Sequence, residues 1–160
     1  MNRRHFLTST FLGATAIGFG ARGALAAYVE GKFEVTRSEA EWRAMLSDLE
    51  YAVMREGDTE RAFTSPLNDE KRPGTFICKG CDQPLYDAAT KFKSGTGWPS
   101  FYQPLDNAVE TMADNSFFMR RTEVHCDRCG SHLGHIFDDG PEPTGKRHCI
   151  NGVSLKFVAA

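Results

Sequence analysis

The sequence has no surplus of positive charge: 19 Lys and Arg stand against 21 Asp and Glu in 160 residues, a formal net charge of −2. With no basic footprint and no block of like charge, electrostatic capture of nucleic acid is excluded. A long uninterrupted apolar run is also missing. The one hydrophobic stretch, at the N-terminus, is broken by Gly13, Gly18, Gly20, Arg22 and Gly23, which makes a poor membrane span. No low-complexity segment is present, and no internal repeat beyond two short cysteine motifs. Cysteine itself is sparse and odd in number: five, of which four come in pairs. What remains is an ordinary globular composition, 41% hydrophobic and 25% charged with twelve Phe, enough for one domain with a real core.

The first 26 residues do not belong to that core. Arg3 and Arg4 are followed by His5, Phe6 and Leu7, then by the Gly- and Ala-rich apolar stretch, which closes on Ala24-Leu25-Ala26, a small-x-small cleavage pattern. Adjacent arginines ahead of x-Phe-Leu resemble a bacterial twin-arginine export signal; a simple signal peptide or an uncleaved anchor is the alternative. The expected organisation is an export signal over 1–26 and one domain over 27–160, in the periplasm or otherwise exported, with no stable membrane association after cleavage. That address is oxidising.

Cys78-Lys-Gly-Cys81 and Cys126-Asp-Arg-Cys129 are two C-x2-C knuckles with 44 residues between them. Each knuckle sets two thiolates close enough to share one tetrahedral ion, and two knuckles complete a closed four-cysteine zinc site. Two disulfides are the competing reading in an oxidising compartment, but bridges over so short a spacing are strained and redox-active. Cys149 then has no partner. It is either a reactive thiol or a buried small hydrophobe.

Ser38-x-x-Glu41 and Ser47-x-x-Glu50 are capping-box patterns that introduce short helices around "EAEWRAML" and "DLEYAVMRE", the second ending at Gly57 and both packing through Trp42, Leu46, Leu49 and Val53. From Pro73 the pattern turns to short aromatic and β-branched runs between turn residues. "TFIC", "PLYD", "AVETM", "SFFMRRTEV" and "GVSLKFV" are the predicted strands, spaced for small antiparallel sheets rather than a βαβ unit. If residues 147–157 form one extended strand, Arg147, Cys149, Asn151, Val153, Leu155 and Phe157 share a face. A guanidinium beside the thiol would favour the thiolate, and the Asn amide could orient a polar substrate group. Elsewhere in the sequence, "SHLGHIF" offers His132 and His135, and "GTGWPSF" offers Trp98. A second metal site formed by the two histidines and Cys149 is an alternative, though no carboxylate at suitable spacing completes it.

"SGTGWPSF", "RTEVHCDRCGSHLGHIFDDGPEPTGKRHCINGVSLKF" and the paired knuckles closely resemble the methionine-R-sulfoxide reductase B family, from about Ser38 to Phe157. The resemblance implies a mainly β fold of two small antiparallel sheets with short N-terminal helices and one structural Zn2+ held by Cys78, Cys81, Cys126 and Cys129. It implies a Cys149 nucleophile, with His135 and Asn151 catalytic, and Trp98, His132 and Arg147 binding the substrate. Trp98 would pack on the substrate methyl, and the histidines and Asn151 would hold and protonate the sulfoxide oxygen. The expected substrates are oxidised proteins or free methionine sulfoxide, and the reductant an external thiol or thioredoxin-like donor.

Three departures from the family pattern stand out. Many members carry a resolving cysteine where this chain has Thr96, so a one-cysteine cycle is expected. The usual aromatic before the nucleophile is His148, and the usual Ser after Asn is Gly152, both expected to point away from Cys149 with modest effects. A zinc-ribbon binding module needs the knuckles but not Cys149, His135 or Trp98. A thiol–disulfide oxidoreductase needs a redox-active knuckle, which a bound metal excludes.

Overall fold

The computed structural model describes residues 33–115 and 120–160. The expected export signal, and residues 116–119 of the expected strand "SFFMRRTEV", lie outside them. Two helices lead, α1 (Glu39–Met45) and α2 (Asp48–Glu56). Both capping boxes form: the Ser38 and Ser47 hydroxyls accept the Glu41 and Glu50 amides, and the two carboxylates accept the cap amides at 2.8 Å. Such caps are worth about 1 kcal/mol each. Gly57 ends α2 at φ 74°. Trp42, Leu46 and Val53 are buried as expected, but Leu49 is exposed. At 3.6 residues per turn Leu49 lies about 140° around the helix from Met54, and Met54 and Tyr51 occupy the inward face in its place.

Among the described residues nine strands follow: β1 (Gly74–Cys78), β2 (Pro84–Asp87), β3 (Lys91–Phe92), β4 (Ser100–Phe101), β5 (Val109–Asp114), β6 (Arg121–Cys126), β7 (His132–Phe137), β8 (Arg147–Ile150) and β9 (Leu155–Ala159). They form two antiparallel sheets, β2-β1-β9 and β3-β4-β8-β7-β6-β5. The mainly β, two-sheet expectation holds. The core between them is aromatic: Tyr86 stacks on Phe101 with ring centres 4.3 Å apart, and Phe76 meets Phe101 edge-on at 5.0 Å. Leu85, Val124, Leu133 and Ile150 complete it. Among the described residues no helix is long and apolar enough to cross a membrane.

One expectation fails here. Residues 147–157 are not one strand: β8 ends at Ile150, a 3-10 turn spans Gly152–Ser154, and β9 enters the other sheet. The cause is local. The Glu60 carboxylate takes the Gly152 and Val153 amides, the latter at 3.2 Å, so neither amide can extend the ladder. Arg147 and Cys149 keep their shared face, whereas Leu155 and Phe157 serve the three-stranded sheet.

Candidate active site and four-cysteine cluster

Cys149 lies in the middle of the six-stranded sheet, paired with Ser100 of β4 on one side and His135 of β7 on the other. His135 in turn pairs with Glu123 of β6. Directly opposed residues of antiparallel strands point to the same face, so the register alone sets Ser100, Cys149, His135 and Glu123 in one row. Beside the thiol the Thr96 hydroxyl stands 3.9 Å from Sγ and is linked through Ser94 to Ser100, at 2.9 and 2.7 Å.

Residues three apart in a regular strand face opposite ways, yet both histidines join this row. A bulge explains it: Val124 pairs with Gly134 but His125 pairs with His132, leaving Leu133 as the extra residue. The kink brings the two imidazoles edge to face, 5.4 Å apart. Each is held by a carboxylate: His132 Nδ1 lies 2.7 Å from Glu123, and His135 Nε2 lies 2.9 Å from Asp114, which also accepts from Arg121 at 2.7 and 3.1 Å. Burial lowers the His135 pKa, partly opposed by Asp114. The His132 Nε2 atom is buried and has no hydrogen-bond partner. Such an atom calls for a ligand or a water at that point.

Trp98 is half-buried, and its indole N–H donates to the Glu60 carbonyl at 3.0 Å. The Glu60 amide donates to Asn151 Oδ1 at 3.0 Å, and Asn151 Nδ2 donates to the Leu133 carbonyl at 3.1 Å. Asn151 is thus held at both ends of its side-chain amide. Its buried amide ties the residue-60 loop to β7, and that loop holds Trp98. Glu60 is 2% exposed, and burial raises its pKa against the pull of the Gly152 and Val153 amides. Gly152 is closer to this network than expected: a Cβ there would stand 1.8 Å from the Ser65 hydroxyl, so the usual serine needs the 65 region to move.

Arg147 bears on the Cys149 thiol and is itself anchored. Its guanidinium grips Asp139 with two bonds of 2.8 and 3.0 Å and lies 4.3 Å from the Phe137 ring centre. Burial pushes the Cys149 thiol above its ordinary value, and the Thr96 hydroxyl and Arg147 only oppose that rise. The resting thiol is thus held mainly in its neutral form. His148 faces the core as the alternation predicts, 3.2 Å from the Tyr86 hydroxyl, and burial pushes its pKa down to about 4.

At the other end of β6 the knuckles meet. Cys78 and Cys129 sulfurs are 3.7 Å apart, Cys81 and Cys126 sulfurs 3.6 Å, and all four lie within 4.8 Å of one another. A tetrahedral ion with bonds of about 2.3 Å requires sulfurs about 3.8 Å apart. The spacing matches, and it exceeds any disulfide length of about 2.05 Å. Crowding makes ionising the whole set costly without a cation: bonds with the other cysteines, then burial, hold the Cys78 thiol well above its ordinary value. These four can hold a metal ion.

The six-stranded sheet therefore gathers Cys149, His132, His135 and Arg147, with Trp98 and Asn151 joined through Glu60, while the knuckle cysteines form a separate cluster. Sequence reasoning missed Glu60, Asp114, Glu123 and Asp139. Strand alternation in "TEV" and in "VETMAD" could have flagged Glu123 and Asp114 as partners for the histidines; no local pattern marks Glu60.

Most of the chain is similar to known proteins of one family. The family described as SelR domain matches residues 46–159. The chain is 51% identical over 125 residues to a protein of Methylibium petroleiphilum named peptide methionine sulfoxide reductase MsrB, covering 78% of this chain and 91% of that one. A Pseudomonas putida protein of the same name is 54% identical over 125 residues, 78% of this chain and 94% of the other. Peptide methionine sulfoxide reductase B1, chloroplastic, of Arabidopsis thaliana is 54% identical over 123 residues, 76% of this chain and 61% of its own length.

Proposed function

Because the chain belongs to the SelR-domain family, in which its relatives are MsrB-type peptide methionine sulfoxide reductases, we propose that it reduces the R epimer of methionine sulfoxide with Cys149 as nucleophile. The observation that carries this reading is the pairing of Cys149 with His135 in the sheet, beside a second histidine whose Nε2 is buried and unsatisfied.

The reaction needs a thiolate on one side of the sulfoxide and an acid on the other, since the sulfur is electrophilic only when its oxygen is protonated or strongly hydrogen-bonded. His132, with Glu123 at Nδ1, is the group arranged to offer a proton from Nε2 to that oxygen. His135 bears on the thiol side and is kept in orientation by Asp114. Cys149 sulfur attacks the substrate sulfur, the oxygen passes to Cys149, and the products are methionine and a Cys149 sulfenic acid. Substrate sulfur is reduced by two electrons and Cys149 oxidised by two. Trp98 supplies an apolar wall for the methyl group. The opposite epimer would turn its oxygen to that wall and lose its hydrogen bonds, a penalty of about 1–3 kcal/mol for each lost polar contact. Asn151 acts as a positioning residue through the Glu60 loop, and Arg147, held by Asp139, bears on the Cys149 thiol and draws it toward thiolate.

The hydroxyl of Thr96 occupies the position from which a resolving thiol could reach Cys149. We therefore assign a one-cysteine cycle. A first external thiol condenses with the sulfenic acid, releasing water, and a second frees Cys149 from the mixed disulfide. The four-cysteine cluster would hold one Zn2+, which would tie the end of β1 and the turn after it to the end of β6 and the turn before β7 rather than supply chemistry. Arg3-Arg4 and Ala24-Leu25-Ala26 support twin-arginine export of residues 1–26 and a periplasmic address, with the mature domain at 27–160 and oxidised exported proteins among its substrates. A zinc-ribbon binding module is the weaker reading, since it leaves the buried histidine–carboxylate pairs unexplained.

Single-turnover reduction without added thiol tests the chemistry. One methionine formed per chain, with one sulfenic acid trapped at Cys149, is expected. A disulfide between Cys149 and a knuckle cysteine would overturn the one-cysteine cycle.

A further inference from the structure

Phe63 is 72% exposed, more than any other large hydrophobic residue among those described. It also holds φ at +67°, a left-handed backbone that bulky side chains rarely adopt. A single exposed apolar residue is ordinary, and so is a strained one at a site; both together on one residue are not.

The surroundings show that this conformation is enforced. The Phe63 amide donates to the Gly97 carbonyl at 2.8 Å, and the Asn68 side chain donates to the same oxygen at 3.0 Å. Gly97 sits at φ +98°, and a Cβ there would stand 2.9 Å from both the Ala62 Cβ and the Phe63 nitrogen, so the two loops interlock at a point only glycine allows. Three residues before Phe63, Glu60 anchors the loop from beneath through Asn151, Gly152, Val153 and Trp98. The loop is thus fixed from below, and its outward product is a bare aromatic ring.

Its location gives the ring a use. Gly97 lies between Thr96, whose hydroxyl touches the Cys149 sulfur, and Trp98. Resting on the reductase reading above, we propose that Phe63 forms an apolar rim on which the side chain next to methionine sulfoxide in an unfolded polypeptide lies, so that this ring sets which flanking residues the site favours. One residue of extended chain advances about 3.3–3.6 Å, so a sulfoxide seated between Cys149 and Trp98 carries its neighbours past this ring. A free amino acid has nothing to place there.

The test compares kcat/KM for N-acetylmethionine-R-sulfoxide with that for an unstructured peptide carrying one methionine-R-sulfoxide flanked by leucines, in the full mature enzyme. Phe63→Ala is expected to lower the peptide-to-small-substrate ratio by about five- to tenfold, from the apolar area no longer covered. Phe63→Leu should keep most of the ratio, and the same peptide with glycine flanks should be insensitive to either change. Equal losses on both substrates would mean that Phe63 only supports the loop, and an unchanged ratio would mean that the peptide does not touch it; either overturns the rim. Wild-type enzyme inert on the small substrate as well as the peptides would refute the reductase reading and the rim with it.

Discussion

Replacing Glu60 by alanine tests the tie beneath the site. In the folded protein its carboxylate is 2% exposed and accepts the amides of Gly152 and Val153, two donors that break the C-terminal strand. Removing it leaves both donors without a partner, at about 1–3 kcal/mol each. Part of that loss is offset, because burial disfavours the charged carboxylate and raises its pKa. The net expectation for Glu60→Ala is about 2–4 kcal/mol out of a total stability of about 5–15 kcal/mol. Glu60→Gln, which keeps one acceptor, should lose roughly half as much. Urea unfolding at pH 7 measures both. A folded carboxyl pKa above the unfolded one means the native state keeps its proton longer, so this group's contribution is full below the ordinary carboxylate value and declines as pH rises through the raised one. Wild type should therefore lose stability relative to Glu60→Gln across that window. Because Trp98 hangs on the Glu60 carbonyl, KM for the sulfoxide should rise more than kcat falls. A Glu60→Ala protein within about 0.5 kcal/mol of wild type, with its KM intact, would refute the role given to this loop.

Three further outcomes follow from the same geometry. Mature protein should carry one tightly bound metal ion per chain by elemental analysis, and Cys129→Ser should lose it together with cooperative thermal unfolding, since binding to such sites is coupled to folding. Cys149 should react with iodoacetamide at a rate that still climbs at pH 9, because burial holds its thiol up; Arg147→Met should slow the reaction at pH 8 by removing one of the pulls toward thiolate. Thr96→Cys should yield an internal disulfide with Cys149 after one turnover, seen as the loss of two titratable thiols, whereas wild type should lose one.

Much of this fold can be read locally. The two capping boxes are local patterns that form as read, and "TFIC", "PLYD" and most of "AVETM" lie in strands, whereas "GVSLKFV" is a strand only from Leu155. The knuckles are legible because a C-x2-C spacing constrains two sulfurs without help from the rest of the chain. What escaped is non-local. β7 reads as a mixed His-Gly-Leu string because its neighbours on both sides bury it, and the bulge at Leu133 that gathers the two histidines exists only in its pairing with β6. The end of β8 is set by Glu60, 92 residues earlier than Gly152 in the chain. For the same reason Asn151 and Arg147 are visible as site residues, but their partners are not. Asn151 is taken up by the residue-60 loop, and Arg147 is held by Asp139 while it also draws the Cys149 thiol toward thiolate.

The most direct test of the central claim supplies each epimer of methionine sulfoxide separately to purified mature protein with dithiothreitol, alongside the Cys149→Ser variant. Reduction of the R epimer alone, abolished in the variant, is the predicted result. Activity on neither epimer, or activity that survives in Cys149→Ser, would contradict it and leave the chain as a metal-stabilised module with Cys149 as a structural thiol.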